Sequence, residues 1–208
     1  MSTGRIICAS HMGSITNELE YHRTCFSAKQ YLANKEYEQA NEQLALALKY
    51  NASDYQVYYL FAKCLFMQFN DLENKKKITK LCYLENGIGH LDISLKHKQN
   101  HAIYKLRAEM QFELYDLTNN TTLLSKIVAD TGNALLYNKK DDFCYYLSGI
   151  ANFKLRNIDA ARSDIECAQL INPNSSKYRA AYNLILTNQS PSIQLFDQLT
   201  NNSNRAGM

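Results

Sequence analysis

Apolar residues recur at helical spacing along nearly the whole chain. In YEQANEQLALALKY, Tyr37, Ala40, Leu44, Ala47 and Leu48 fall at i, i+3, i+7, i+10 and i+11, while Glu38, Gln39, Glu42 and Gln43 take the opposite face. The same periodicity marks YQVYYLFAKCLFMQF, AIYKLRAEMQFELY, TLLSKIVADTGNALLY, FCYYLSGIANFKL and AARSDIECAQLI. Short polar breaks such as NKE, NASD, KHKQN, NKKDD and RNID separate them. No alternation of strand type reaches six residues. The pattern predicts an all-α chain of about eight helices and a last one near 177–187, joined by short loops that make sequence neighbours antiparallel. Asp54, Asp141 and Asp159 stand where a carboxylate meets the free N–H groups of a helix start.

Small residues repeat in register. Ala28, Ala62, Ala108 and Gly149 are spaced by 34, 46 and 41 residues, and each follows a Thr or Tyr by four: Thr24, Tyr58, Tyr104 and Tyr145. The second helices carry alanines seven apart, Ala40 with Ala47 and Ala161 with Ala168, and Ala134 closes the third pair. A small residue lets two helix backbones approach, and the larger one a turn away fills the space over the partner.

This pattern resembles the tetratricopeptide repeat, a helix–turn–helix of 34 residues. In the last unit Tyr145, Gly149, Ala161, Ile165, Ala168 and Pro173 match, while Ser148 and Asn152 depart from the family's Leu and Tyr. In the first, Ala28, Tyr31, Ala40, Leu44 and Ala47 match, while Thr24, Ser27 and Ala52 depart. The second and third units run 12 and 7 residues over length, an excess expected in the turn between their helices, and no register is legible near 80–98. The resemblance implies a right-handed α-solenoid of antiparallel helix pairs. It gives a domain over 19–187 with units at about 21–54, 55–100, 101–141 and 142–175 and a capping helix at 177–187. Flexible segments are expected at 1–18 and 188–208, the latter holding the short amphipathic run SPSIQLFDQL.

Composition narrows the chemistry. The 208 residues include 23 Lys+Arg against 20 Asp+Glu, a net charge of +3, too small for a dedicated DNA binder. Two prolines and seven glycines favour long helices over a sheet-rich fold. No apolar run approaches the roughly 20 residues of a membrane span, and IICA is too short for a signal-peptide core. The six cysteines form no CxxC pair and read as reduced core residues of a cytoplasmic protein. No Walker loop, GxSxG or HExxH occurs. Gly87-Ile88-Gly89 lacks the third glycine of a phosphate loop, and His90, His97 and His101 lack a completing ligand set. Lys75, Lys76, Lys77 and Lys80 read as a solvated turn. The chain is therefore expected to be no enzyme and to need no cofactor or metal.

In the family, first helices line a concave groove, at positions flanking the small residue. Here these are Cys25, Lys29, Tyr59, Lys63, Lys105, Glu109, Tyr146, Ile150 and Phe153, with His22, Gln56 and Phe143 one turn earlier. Leu32, Phe66 and Phe112 are the remaining matches, the two phenylalanines reading as core. The resemblance implies an adaptor, scaffold or chaperone-like module that binds an extended or helical segment of a partner protein. A helical-repeat RNA binder is the alternative reading. One subfamily grips acidic chaperone C-termini with a clamp of lysines, arginine and asparagine. Its places here hold Cys25, Lys29, Leu60, Ala102 and Leu106, so no such clamp is expected.

Overall fold

The structure, a computed structural model, describes residues 3–72 and 77–187, with side chains from Thr16 onward. Among them are nine helices and no strand: α1 (Thr3–Ala33), α2 (Tyr37–Tyr50), α3 (Tyr55–Asn70), α4 (Lys77–His97), α5 (His101–Thr118), α6 (Thr122–Tyr137), α7 (Asp142–Lys154), α8 (Ile158–Ile171) and α9 (Ser176–Thr187). The all-α expectation holds. The chain divides into two compact units, Met1–Asn120 and Thr121–Met208. The tail 188–208 and Lys75 and Lys76 lie outside the described residues.

Side-chain caps set several helix starts. Asp54 accepts the Gln56 N–H at 2.7 Å, and Asp141 accepts that of Cys144 at 2.8 Å. Asp159 sits in the first turn of α8, where its charge meets the positive end of the helix. Asn100 caps α5 in the same way, accepting from Ile103 N–H at 3.0 Å.

In the first unit each helix packs on its neighbour in sequence, and α1 also meets α3, which meets α5. The odd helices therefore form one layer, and α2 and α4 form the other. A core of Ala28, Leu32, Ala40, Leu44, Ala47, Val57, Leu60 and Cys64 fills the space between the layers. In the second unit α6 to α9 pack in sequence and α7 also meets α9. There Ala161 and Ile165 of α8 pack with Ala181 and Ile185 of α9. Ala28, Ala62 and Ala108 are fully buried and Gly149 is buried too, so the small positions of all four first helices sit at helix contacts.

Two features differ from the sequence reading. The excess length of the second and third units lies mostly in helices, not in turns. α5 and α6 have 18 and 16 residues against 13 and 14 in α7 and α8, and the turn 119–121 is as short as 155–157. α4 has 21 residues against 14 in α2. Lengthening a helix adds one hydrogen bond per residue fixed, whereas a longer turn adds none. The same reasoning covers α1, whose helical backbone runs back to Thr3 through a stretch read as a flexible end. That stretch contains no proline to stop it.

The register missing from α4 is also present. Gly87 and Ser94 stand seven apart, as Ala40 and Ala47 do, and both are buried. Gly87 lies against Met110, where an added Cβ would fall 2.1 Å from the methionine methyl. Ser94 fits because its hydroxyl donates to the Tyr55 carbonyl at 2.8 Å, so the buried oxygen has a partner. Gly87 and Gly89 are thus interior residues of a helix, which gives no loop to hold a phosphate.

Candidate functional site

The expected groove residues of the first unit lie on the layer formed by α1, α3 and α5. Lys29 and Lys63 are exposed, and Cys25, Tyr59, Lys105 and Glu109 are half-buried. Cys25 packs against the core, and burial pushes its thiol up while the charge of Lys29 opposes the shift. Burial likewise raises the Tyr59 phenol, Glu109 adds to the rise and Lys105 opposes it. Tyr59, Lys105 and Glu109 therefore share one electrostatic neighbourhood between α3 and α5.

Two cavities open on this layer. One, of about 310 Å³, is lined by Lys29, Tyr55, Gln56, Tyr59, Leu60, Asn100, Ala102 and Ile103. The other, of about 420 Å³, is lined by Tyr21, His22, Cys25, Phe26, Lys29, Asp54, Tyr55 and Gln56. Lys29, Tyr55 and Gln56 belong to both, so the two cavities adjoin. Phe26 stands 63% exposed in the wall of the larger one and offers an apolar ring to whatever occupies it.

Of the residues expected from sequence, Cys25, Lys29 and Tyr59 come together here, with His22 and Gln56 beside them. Lys63 sits on the same helix as Tyr59, one turn on. Tyr55, Asn100 and Ile103 escape the sequence reading. They lie at the starts of α3 and α5, and the capping residues Asp54 and Asn100 are the signal that could have located them.

In the second unit the expected residues pack largely with α9. Phe143 and Tyr146 stack with ring centroids 6.0 Å apart, and Tyr146 stacks on Tyr178 at 5.2 Å. The Lys177 ammonium stands 4.3 Å from the Tyr146 ring centre and 5.1 Å from that of Phe143. Tyr178 donates to Asp142 at 3.0 Å, and burial with that bond pushes its phenol up. Tyr146, Ile150 and Phe153 pack, half-buried, against the α8–α9 core.

His90 and His97 are engaged in ring contacts. His90 stacks on Phe61 at 5.0 Å and lies 6.2 Å from Tyr58, on whose ring His97 also stacks at 6.5 Å. Lys80 points its ammonium at the Phe69 ring, 6.0 Å away. Among the described residues no helix is long and apolar enough to cross a membrane.

No family model matches the sequence, and no curated protein does. Solved structures do resemble it. The MamA protein matches with a TM-score of 0.65 at 12% identity, over 80% of this chain and 80% of its own. A tetratricopeptide repeat protein from Parabacteroides merdae gives a TM-score of 0.62 at 18% identity over 80% of this chain, which spans 59% of that protein. A thermophilic tetratricopeptide repeat protein in Thermus thermophilus gives 0.55 at 15% identity, over 82% of this chain and 81% of the other. At such identities the likeness is one of fold: helical hairpins of the tetratricopeptide-repeat type.

Proposed function

We propose that this chain, which carries the tetratricopeptide-repeat fold, is a non-enzymatic protein–protein interaction module. It holds an extended or helical segment of a partner in the depression along α1, α3 and α5, as an adaptor or scaffold within a cytoplasmic assembly. The observation that supports this reading best is the pair of cavities meeting at Lys29, Tyr55 and Gln56. Together they offer a partner segment apolar walls, aromatic rings and a few charges, the makeup of a peptide-binding surface. Lys63 adds an exposed charge to the same layer.

Panning a phage-displayed random dodecapeptide library against the full chain tests the reading. Selected peptides are re-measured by fluorescence anisotropy with the Tyr59→Ala and Lys63→Glu variants. Loss of a half-buried aromatic contact at an interface costs about 1–2 kcal/mol, so Tyr59→Ala is expected to weaken binding about tenfold. Lys63→Glu is expected to weaken acidic peptides most. Peptides that bind both variants as well as the original chain would overturn the assigned face. Failure of the library together with tight, steeply salt-dependent binding of a labelled RNA oligomer would overturn the protein-binding function itself.

A further inference from the structure

The smaller of the two cavities has a particular chemistry. Tyr55, Tyr59, Leu60, Ala102 and Ile103 make most of its wall. Its polar lining is largely spoken for: Asn100 accepts the Ile103 N–H at 3.0 Å, and the Gln56 amide donates to the Tyr55 hydroxyl at 3.2 Å. Lys29 is the one charged residue in that wall, and it is exposed. The volume, about 310 Å³, exceeds the roughly 150 Å³ that accommodates benzene, room enough for a phenyl ring.

We propose, on the basis of the groove function above, that this cavity takes an aromatic side chain lying next to a carboxylate within a partner's chain. The ring enters between Tyr59, Leu60, Ala102 and Ile103. The adjacent carboxylate meets the Lys29 ammonium at the rim. The segment then passes over Tyr55 and Gln56 into the second cavity, which Lys29 also borders. An acidic chain terminus is a poorer occupant. It brings a second carboxylate to the same place, and Leu60 and Ala102 offer that charge neither a donor nor a cation.

The test uses the full ¹⁵N-labelled chain and four tripeptides blocked at both ends, followed by amide chemical shifts. Glu-Phe-Glu is expected to perturb amides around Lys29, Tyr59, Ala102 and Ile103. Gln-Phe-Gln should bind the same place about threefold more weakly, the scale of one exposed ion pair, and Lys-Phe-Lys more weakly still. Glu-Ala-Glu should leave these amides unmoved. Lys29→Glu should reverse the order of Glu-Phe-Glu and Lys-Phe-Lys. Ala102→Phe, a change at an exposed position that fills the cavity, should abolish binding of every phenylalanine peptide with an unaltered circular dichroism spectrum.

Equal shifts from Glu-Ala-Glu, a preference for Lys-Phe-Lys in the original chain, or perturbations confined to other parts of the molecule would overturn the proposal. Groove-binding library peptides without an aromatic–acidic pair would overturn it and leave the groove function standing.

Discussion

Lys35 and Arg156 occupy the same place in two turns of different hairpins, each with left-handed backbone at φ 63° and 67°. The residue after each closes the turn with the same long bond: Glu36 N–H to Tyr31 C=O at 2.8 Å, Asn157 N–H to Asn152 C=O at 2.9 Å. Both are Schellman-type helix ends, where glycine is the usual occupant because it carries no Cβ. Left-handed backbone costs an ordinary residue about 1–2 kcal/mol, and glycine gives back part of that through its freer unfolded chain. Arg156→Gly is therefore expected to raise stability by about 0.5–1 kcal/mol, read as a rise of roughly 1–4 °C in the thermal midpoint. Arg156→Val, branched at Cβ, should lower it. Lys35 is the less clean site, because its ammonium also pairs with Asp71 at 3.1 Å.

Glycine plays the opposite part inside the helices. A Cβ on Gly149 would stand 2.7 Å from both Cδ1 and Cγ1 of Ile165 and 3.2 Å from the Ala161 carbonyl oxygen. Ile165 is fully buried, and its branched stem cannot swing away as a terminal methyl could. Gly149→Ala should thus cost about 1–3 kcal/mol in urea unfolding, although alanine is the better helix former by about 1 kcal/mol. Gly87→Ala should cost less. Its nearest obstacle is the flexible end of Met110, which can choose another rotamer. A Gly149→Ala variant as stable as the original chain would count against the close α7–α8 approach.

Where the small residues were alanines or glycines following a Thr or Tyr by one turn, the hairpins were legible from sequence alone. Ala28, Ala62, Ala108 and Gly149 all mark buried contacts. α4 was not legible for a physical reason. Its pair of small residues is Gly87 and Ser94, and a serine reads as polar until its bond to the Tyr55 carbonyl is known. The excess residues of the second and third units could not be placed either, because an added helical turn and an added loop look alike in spacing. The groove was half legible. Lys29 and Tyr59 followed from the repeat register, whereas Asn100 and Ile103 line it because α5 starts there, a boundary marked by the cap Asn100 and not by the apolar periodicity.

Ser148 and Asn152 replace the large apolar residues usual at their places and build a polar cluster. Ser148 donates to Asp164 at 2.7 Å and Asn152 donates to the same oxygen at 3.0 Å. Burial raises the Asp164 carboxyl, and these two bonds reduce the rise without cancelling it. A carboxyl raised by folding stabilises the fold below its unfolded value near 3.8 and loses that contribution as pH climbs through the folded value. Asp164→Asn keeps an acceptor for the two donors and removes the charge. Its stability relative to the original chain should accordingly improve between pH 4 and 7, measured by urea midpoints at each pH. A constant difference across that range would show that the carboxylate carries no such cost.

His90 gives the reverse dependence. Burial lowers its imidazole below 6.5, its ring lies stacked on Phe61 beside Tyr58, and Nδ1 is buried with no hydrogen-bond partner. A proton added to that nitrogen would place a charge where nothing accepts from it. The folded imidazole therefore binds its proton at a lower pH than the unfolded one, and folding keeps its full advantage only above 6.5. As pH falls through the folded value that advantage is lost. His90→Phe preserves a flat ring against Phe61 and has nothing to protonate. Between pH 7.5 and 5 the original chain should lose more stability than the variant, and two-dimensional NMR of the imidazole carbons should place the His90 titration below 6.5. A His90 signal titrating at or above 6.5, or equal losses in both proteins, would remove burial of this ring as a source of acid sensitivity.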